Sequence, residues 1–358
     1  MKPKLQIDLL LIAPVVILVI ISLATLWSVN FSYFRSQSIS LLVGIIAFIF
    51  FSKINIDFIK QLKLPIYIIS LILLSVVLVI GIETRGASRW LDIFGIRLQF
   101  SEILKPFLAL IFAGAIADNT ENSMMSFLKI IIFLAPIVIL ISLQPDLGSG
   151  LVYAGVGFFA LLVAGFPLMW FLLLFLPLLL ASPLLWTLLH GYQRQRLLTF
   201  LNTSNDPLGA SYNGIQAVIA VGSGTFMGKG ISEGTQSVLK FLPERHTDFI
   251  FATIAEGLGF IGASVVIFAF LFLLYRVYVI FRESDDLFSK TFVAAGFGFF
   301  LVQGFVNIAM NMGILPIVGI TLPFVSFGGS SLLSNFIFLG IISSFKTSGH
   351  NRHVLEIR

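Results

Sequence analysis

The chain has 358 residues, 58% of them hydrophobic and 11% charged, with a formal net charge of +5 and a mean hydropathy of +1.04. No water-soluble domain can cover so much apolar surface, so the composition excludes a soluble globular protein and describes an all-α polytopic membrane protein. The absence of cysteine excludes a disulfide framework and thiolate chemistry.

Apolar runs of about 17–25 residues mark spanning helices. Ten occur in order, at 8–28, 36–52, 65–82, 99–117, 126–144, 147–164, 168–190, 248–275, 291–312 and 317–345. The first is too long for a signal segment and lacks a small-residue cleavage site, so it is expected to be retained. Gln144-Pro145-Asp146-Leu147-Gly148 separates the fifth and sixth runs, because Pro and Asp disfavour uninterrupted helix. The whole chain, 1–358, reads as one membrane domain. Lys2, Lys4, Lys53, Lys60, Lys63, Arg276, Arg282, Lys290, Lys346, Arg352 and Arg358 fall on one face with ten spans. The positive-inside bias makes that face, and both termini, cytoplasmic.

Two larger loops then lie outside, 83–98 and about 191–247. They hold Arg85, Arg89, Arg97, Arg194, Arg196, Lys229, Lys240 and Arg245, which are either merely solvated or meet an anionic ligand at the outer surface. Next to the first loop, Glu102 and Lys105 are three residues apart on one face of the fourth span and can pair. The second loop carries a turn cluster at Asn205–Gly209 and a short apolar stretch at 212–221, expected to be an interfacial helix. Its glycine-rich run Gly222–Gly230 with Lys229 lacks P-loop spacing and is a weak phosphate signal beside the commoner reading of turns. Together these predict a folded, partly membrane-embedded loop.

Phe241-Leu242-Pro243-Glu244-Arg245-His246-Thr247-Asp248-Phe249-Ile250-Phe251 ends that loop. A carboxylate at the lip of a span is costly, about 2.5–3.5 kcal/mol at helix-centre depth, which makes Asp248 the first place to look for chemistry. On the ninth span Gln303, Asn307 and Asn311, at i, i+4 and i+8, suit hydrogen bonding between helices. Gly328-Gly329-Ser330-Ser331 suits close packing.

Taken jointly, several blocks resemble the SEDS family (shape, elongation, division, sporulation), and its RodA branch more than its FtsW branch. They are Arg85–Leu91, Gln99–Lys105, Gln144–Ser149, Asp206–Gly209, Gly222–Gly230, Gly234–Ser237, Phe241–Ala252 and Leu322–Ser331, in family order along nearly the whole chain. Phe100 and Thr203 stand where the family commonly has Pro, and Gly257 replaces a common second acid after Glu256. That last departure leaves an acid pair there without a counterpart.

The resemblance implies a peptidoglycan glycosyltransferase that polymerises lipid II at the outer face of the cytoplasmic membrane. It implies membrane lipids as surroundings, and as partner a class B penicillin-binding protein. We expect that contact along the eighth and ninth spans and the outer loop, with Gly296 and Gly298 admitting the partner helix; no nucleic acid is expected. A sugar hydroxyl would attack an anomeric carbon and expel a polyprenyl diphosphate with inversion. The resemblance maps the general base onto Asp248. Arg89, Lys105 and Arg245 are the candidate cations for the leaving diphosphate, with Glu102 positioning Lys105 and with His246 and Lys229 as further substrate contacts. The residues single out no cofactor; a divalent cation (Mg or Mn) is the one candidate to assist, although no ligand cluster of metal-site spacing is visible. A lipid flippase is the rival reading, since broken helices at Pro136, Pro177 or Pro183 and intramembrane charges suit a transporter. No inverted repeat supports it, and the polar residues gather on the outer side. A non-catalytic scaffold is the third reading.

Overall fold

The computed structural model describes residues 8–355 apart from 85–86, 94–95, 120, 145, 190 and 202–210. The expectations for Lys2, Lys4, Arg85, Gly86, Pro145, Thr203, Asn205–Gly209 and Arg358 lie outside the described residues. The described chain runs α1 (Leu9–Val29), α2 (Phe31–Phe51), α3 (Ile56–Gln61), α4 (Lys63–Ile80), β1 (Ile82–Thr84), β2 (Ala87–Ile93) and β3 (Ile96–Leu98). It continues through α5 (Phe100–Ile103), α6 (Lys105–Asp118), α7 (Met124–Leu143), α8 (Leu147–Val163), α9 (Leu168–Leu180), α10 (Ser182–Leu188) and α11 (Gly191–Leu201). The last elements are α12 (Tyr212–Ser223), α13 (Thr235–Val238), α14 (Ile250–Glu283), α15 (Leu287–Asn311) and α16 (Gly329–Leu355).

Six helices (α1, α2, α4, α7, α14 and α15) are long and apolar enough to cross a membrane, and stretches of α8, α9 and α16 are shorter apolar helices. α15 is the central post: 72% of its apolar window is buried, and it packs against α6, α8, α14 and α16. α9, by contrast, buries none of its side chains and touches its neighbours through Trp170 and Phe171, which pack on Phe127.

Three features depart from the hydropathy reading. Residues 83–98, read as a plain loop, fold into an antiparallel sheet of order β1-β2-β3. The fourth run breaks at Leu104 into α5 and α6, since Pro106 has no N–H to continue the ladder. The tenth run does not begin as helix at 317. Residues 312–328 are irregular backbone, with Gly313 and Gly319 at φ +73 and +74 and Phe324 at +64.

The stretch 320–326 of that segment is mostly buried, and it is viable only if its backbone is satisfied by side chains. Ser22 of α1 donates to Val325 O at 2.6 Å, and Gln37 of α2 donates to Ser326 O at 3.1 Å while accepting from Gly328 N at 3.2 Å. Asn307 of α15 donates to Ile320 O at 2.7 Å.

α14 has 34 residues and would rise about 51 Å if straight, against roughly 30 Å of hydrocarbon. Gly259, at φ 67 and ψ −163, kinks it. The glycine-rich run of the outer loop fills that kink. Lys229 N donates to Glu256 O and Gly230 N to Gly257 O, each at 3.0 Å, and Phe260 N donates to Thr225 O at 2.9 Å. A Cβ on Gly228 would stand 2.3 Å from Gly257 O, so glycine is needed there for backbone-to-backbone packing. The phosphate-cradle reading of this run gives way to a structural one.

Candidate functional site

Asp248 sits in the turn that leads into α14, half-buried. Three successive carbonyls of that turn are tied down from elsewhere. His246 O accepts from Phe327 N at 2.9 Å, Thr247 O from Ser326 Oγ at 2.8 Å, and Asp248 O from Asn311 Nδ2 at 2.9 Å and Asn307 Nδ2 at 3.1 Å. Asn311 Oδ1 also accepts from Ala252 N at 3.1 Å, satisfying one of the orphan N–H groups of the helix start. The buried amides of α15 therefore hold the Asp248 turn, where the sequence suggested a role between helices. The His246 ring stacks on Tyr33 of α2, with centroids 4.1 Å and planes 5° apart.

A Cβ built on Gly319 would lie 3.7 Å from Asp248 Oδ2 and 3.8 Å from Arg196 Nη1. The carboxylate and the guanidinium thus converge on one point of the irregular segment. Arg196, carried by α11, also donates to Ile317 O at 3.3 Å and lines a cavity of about 400 Å³ between α11, α12 and residues 310–317. Sequence reasoning counted Arg196 only among the outer basic residues; nothing in its local sequence marks it out.

The other predicted charges form a second cluster. Lys105, 1% exposed, pairs with Glu102 across the α5–α6 break, as the spacing predicted. Arg89 of β2 pairs with Asp146 at 3.3 Å. Asp146 is the N-cap of α8, accepts from Ser149 N and Oγ, and takes a 3.2 Å hydrogen bond from Gln99. Glu102 Oε2 is buried without a hydrogen-bond partner among the described residues. The two clusters flank one segment. A Cβ on Gly148, two residues after Asp146, would stand 2.9 Å from Val318 O, next in the chain to the Gly319 on which Asp248 and Arg196 converge.

Lys229 is not brought to Asp248. It pairs at 3.5 Å with Glu256, two turns along α14. The fully buried Glu256 carboxylate also accepts from Gln236 N and Ser237 N, both at 2.9 Å, so it anchors the outer loop. Gly257 follows because the loop backbone passes too close for a side chain: its Cβ would be 3.2 Å from Ile231 Cα. Arg245 lies beside the turn; its carbonyl accepts from Thr253 Oγ1 at 3.0 Å, and its Nε is buried without a hydrogen-bond partner among the described residues. Gly296 and Gly298, expected to admit a partner helix, are filled from within. A Cβ on the first would meet Ile342 and Phe338 of α16, and on the second Phe159 and Gly155 of α8.

The chain that carries this site matches known proteins in sequence and in fold over most of its length. The sequence model of the FtsW/RodA/SpoVE family, described as cell cycle protein, matches residues 3–351. The chain belongs to this family. It is 41% identical to the peptidoglycan glycosyltransferase MrdB of Escherichia coli K12 over 79% of this chain and 77% of that one. It is 38% identical to a probable peptidoglycan glycosyltransferase FtsW of Idiomarina loihiensis over 77% and 68%. Its structure superposes on a chain from a peptidoglycan synthase complex described as coordinating polymerization and crosslinking, with TM-score 0.84, 29% identity and coverage of 97% and 99%. It also superposes on RodA of Thermus thermophilus, with TM-score 0.74, 26% identity and coverage of 98% and 99%.

Proposed function

We propose that this chain is the peptidoglycan glycosyltransferase of cell elongation, joining lipid II units into glycan strands at the outer face of the cytoplasmic membrane. The observation that carries the reading is the Asp248 turn: a half-buried carboxylate whose backbone is fixed by α15 and by the 312–328 segment, converging with Arg196 on Gly319, in a family whose relatives are named peptidoglycan glycosyltransferases.

Asp248 acts as general base. It takes the proton from the attacking sugar hydroxyl as the new oxygen–anomeric carbon bond forms, a contribution worth typically 10²–10⁴-fold. The anomeric carbon–oxygen bond to the diphosphate breaks on the opposite face, and the electron pair leaves with the polyprenyl diphosphate, giving inversion. The negative charge on that leaving group needs fixed cations, for which Arg89, Lys105, Arg245 and Arg196 are candidates. Glu102 positions Lys105, and His246 orients the substrate-facing turn from its stack on Tyr33. A divalent cation such as Mg or Mn finds no group of three acidic, His or Cys ligands among the described residues, so no step is assigned to one.

The partner is a class B penicillin-binding protein. Because Gly296 and Gly298 are occupied, its helix fits the lipid face of α14, where Phe260 and Phe268 are exposed, together with the outer loop. Both termini are cytoplasmic in this reading. Lys60 and Asp286, 3.4 Å apart, and Asp8 and Arg276, 2.7 Å apart, share the face opposite Asp248. A division-type FtsW role and a lipid II flippase are the rival readings. Purified chain, with and without the penicillin-binding partner, should turn lipid II into glycan strands on a gel; translocation of lipid II without polymer would overturn the assignment.

A further inference from the structure

The geometry points to the cavity between α11, α12 and residues 310–317 as the binding site for a polyprenyl diphosphate, with Arg196, the N-terminus of α12 and Ser211 taking the diphosphate. This inference rests on the glycosyltransferase reading and assigns to it the place where the lipid-linked donor is gripped.

Three observations carry it. First, the cavity-lining residues of α12 run from Asn213 and Gly214 at its start to Val218 and Ile219, i, i+4 and i+5 along one face. That face passes from polar to apolar over about two turns. Across the cavity stand Leu315 and Ile317, so the wall beyond the first turn suits an isoprenoid chain. Second, α12 opens into the cavity without a side-chain cap, and its first N–H groups carry the positive end of the helix dipole. Ser211 is 3% exposed and lines the cavity, and its hydroxyl has no hydrogen-bond partner among the described residues. A buried hydroxyl without a partner is unfavourable and is explained by an acceptor that arrives with the ligand. Third, Arg196 lines the same cavity and shares with Asp248 the contact point at Gly319. An anion held by Arg196 therefore brings its attached sugar to the base.

The probe is farnesyl diphosphate, which has no sugar and needs no turnover. Binding is measured on the detergent-purified full chain, with inorganic pyrophosphate and phosphatidylglycerol as competitors. Two variants separate the contributions. Arg196→Gln removes the cation. Gly214→Leu places an apolar side chain in the cavity, where a Cβ meets Ile317 Cδ1 at an ordinary 3.5 Å. Each should weaken farnesyl diphosphate at least tenfold while the melting temperature stays unchanged. Arg97→Gln, a change at an exposed outer-loop cation, should leave binding intact. Pyrophosphate should compete weakly and phosphatidylglycerol negligibly. Unchanged affinity in both cavity variants, or equal displacement by phosphatidylglycerol, would overturn the site. Polymerisation of lipid II by wild type is scored separately, so loss of this site leaves the proposed activity standing.

Discussion

The two charged regions near the outer face are built on opposite plans. Around α5, α6 and α8, four ionised side chains are matched with one another: Lys105 with Glu102, and Arg89 with Asp146. Around α11 and α14 it is the backbone that is fixed. Carbonyls 246 to 248 are each held by a neighbour, and the Asp248 carboxylate is aimed at the same point as Arg196 beside a cavity. Internally compensated charge gives a region that tolerates no unpaired partner; a pinned backbone sets the place of a carboxylate through its main chain. The difference predicts that the first region fails by unfolding and the second by losing turnover.

The largest expected effect lies in the first region. Lys105→Met leaves the buried Glu102 carboxylate without its cation and should destabilise the fold by about 3–5 kcal/mol. Glu102→Gln/Lys105→Met removes both charges and should recover the melting temperature. Activity that also returns in the double variant would make the pair purely structural and erase its role near the diphosphate.

A smaller effect is expected from loosening the turn. Asn311→Leu removes one of the two donors to Asp248 O, leaving Asn307 Nδ2, and the acceptor of Ala252 N; an unpartnered buried N–H costs about 1–3 kcal/mol. The variant should lower kcat with little change in KM. Asn311→Asp keeps the acceptor for Ala252 N but loses the donor to Asp248 O, so it separates the helix cap from the carboxylate anchor. Equal kcat in Asn311→Asp and wild type would show that the anchor does not matter.

The smallest effect concerns the opposite face. Burial pushes the Asp286 carboxyl up, but the Ser289 hydroxyl and N–H and the Lys60 ammonium outweigh it and hold it below the ordinary aspartate range. A depressed folded value means that this stability is present above the unfolded pKa of roughly 3.9 and is lost as pH falls through the folded value. Melting curves between neutral pH and pH 3 should therefore fall more steeply for wild type than for Asp286→Asn. Parallel curves would remove the carboxylate from the account.

Much of this was legible in the chain. Hydropathy located the long helices, because lipid demands about twenty apolar residues per crossing. The i, i+3 spacing located the Lys105–Glu102 pair, and the motif around Asp248 located the turn. The 312–328 segment misled because its composition is that of a span: Ile314, Leu315, Ile317, Val318 and Ile320 are as apolar in irregular backbone as in a helix. Only Gly313, Pro316, Gly319 and Pro323 signalled otherwise. Arg196 was invisible because its significance comes from a contact at Gly319, 123 positions away in sequence. The ninth-span amides were read as hydrogen-bonding between helices, but Asn307 and Asn311 hold backbone carbonyls in irregular segments that no periodicity reveals.

The most direct test of the central claim is the lipid II polymerisation rate of purified Asp248→Asn protein. The substitution keeps size and hydrogen bonding and removes basicity, and the turn stays anchored through its carbonyls. The account predicts unchanged melting and partner binding, with polymerisation slowed at least about 10²-fold. Near-normal glycan synthesis by this variant would contradict the account.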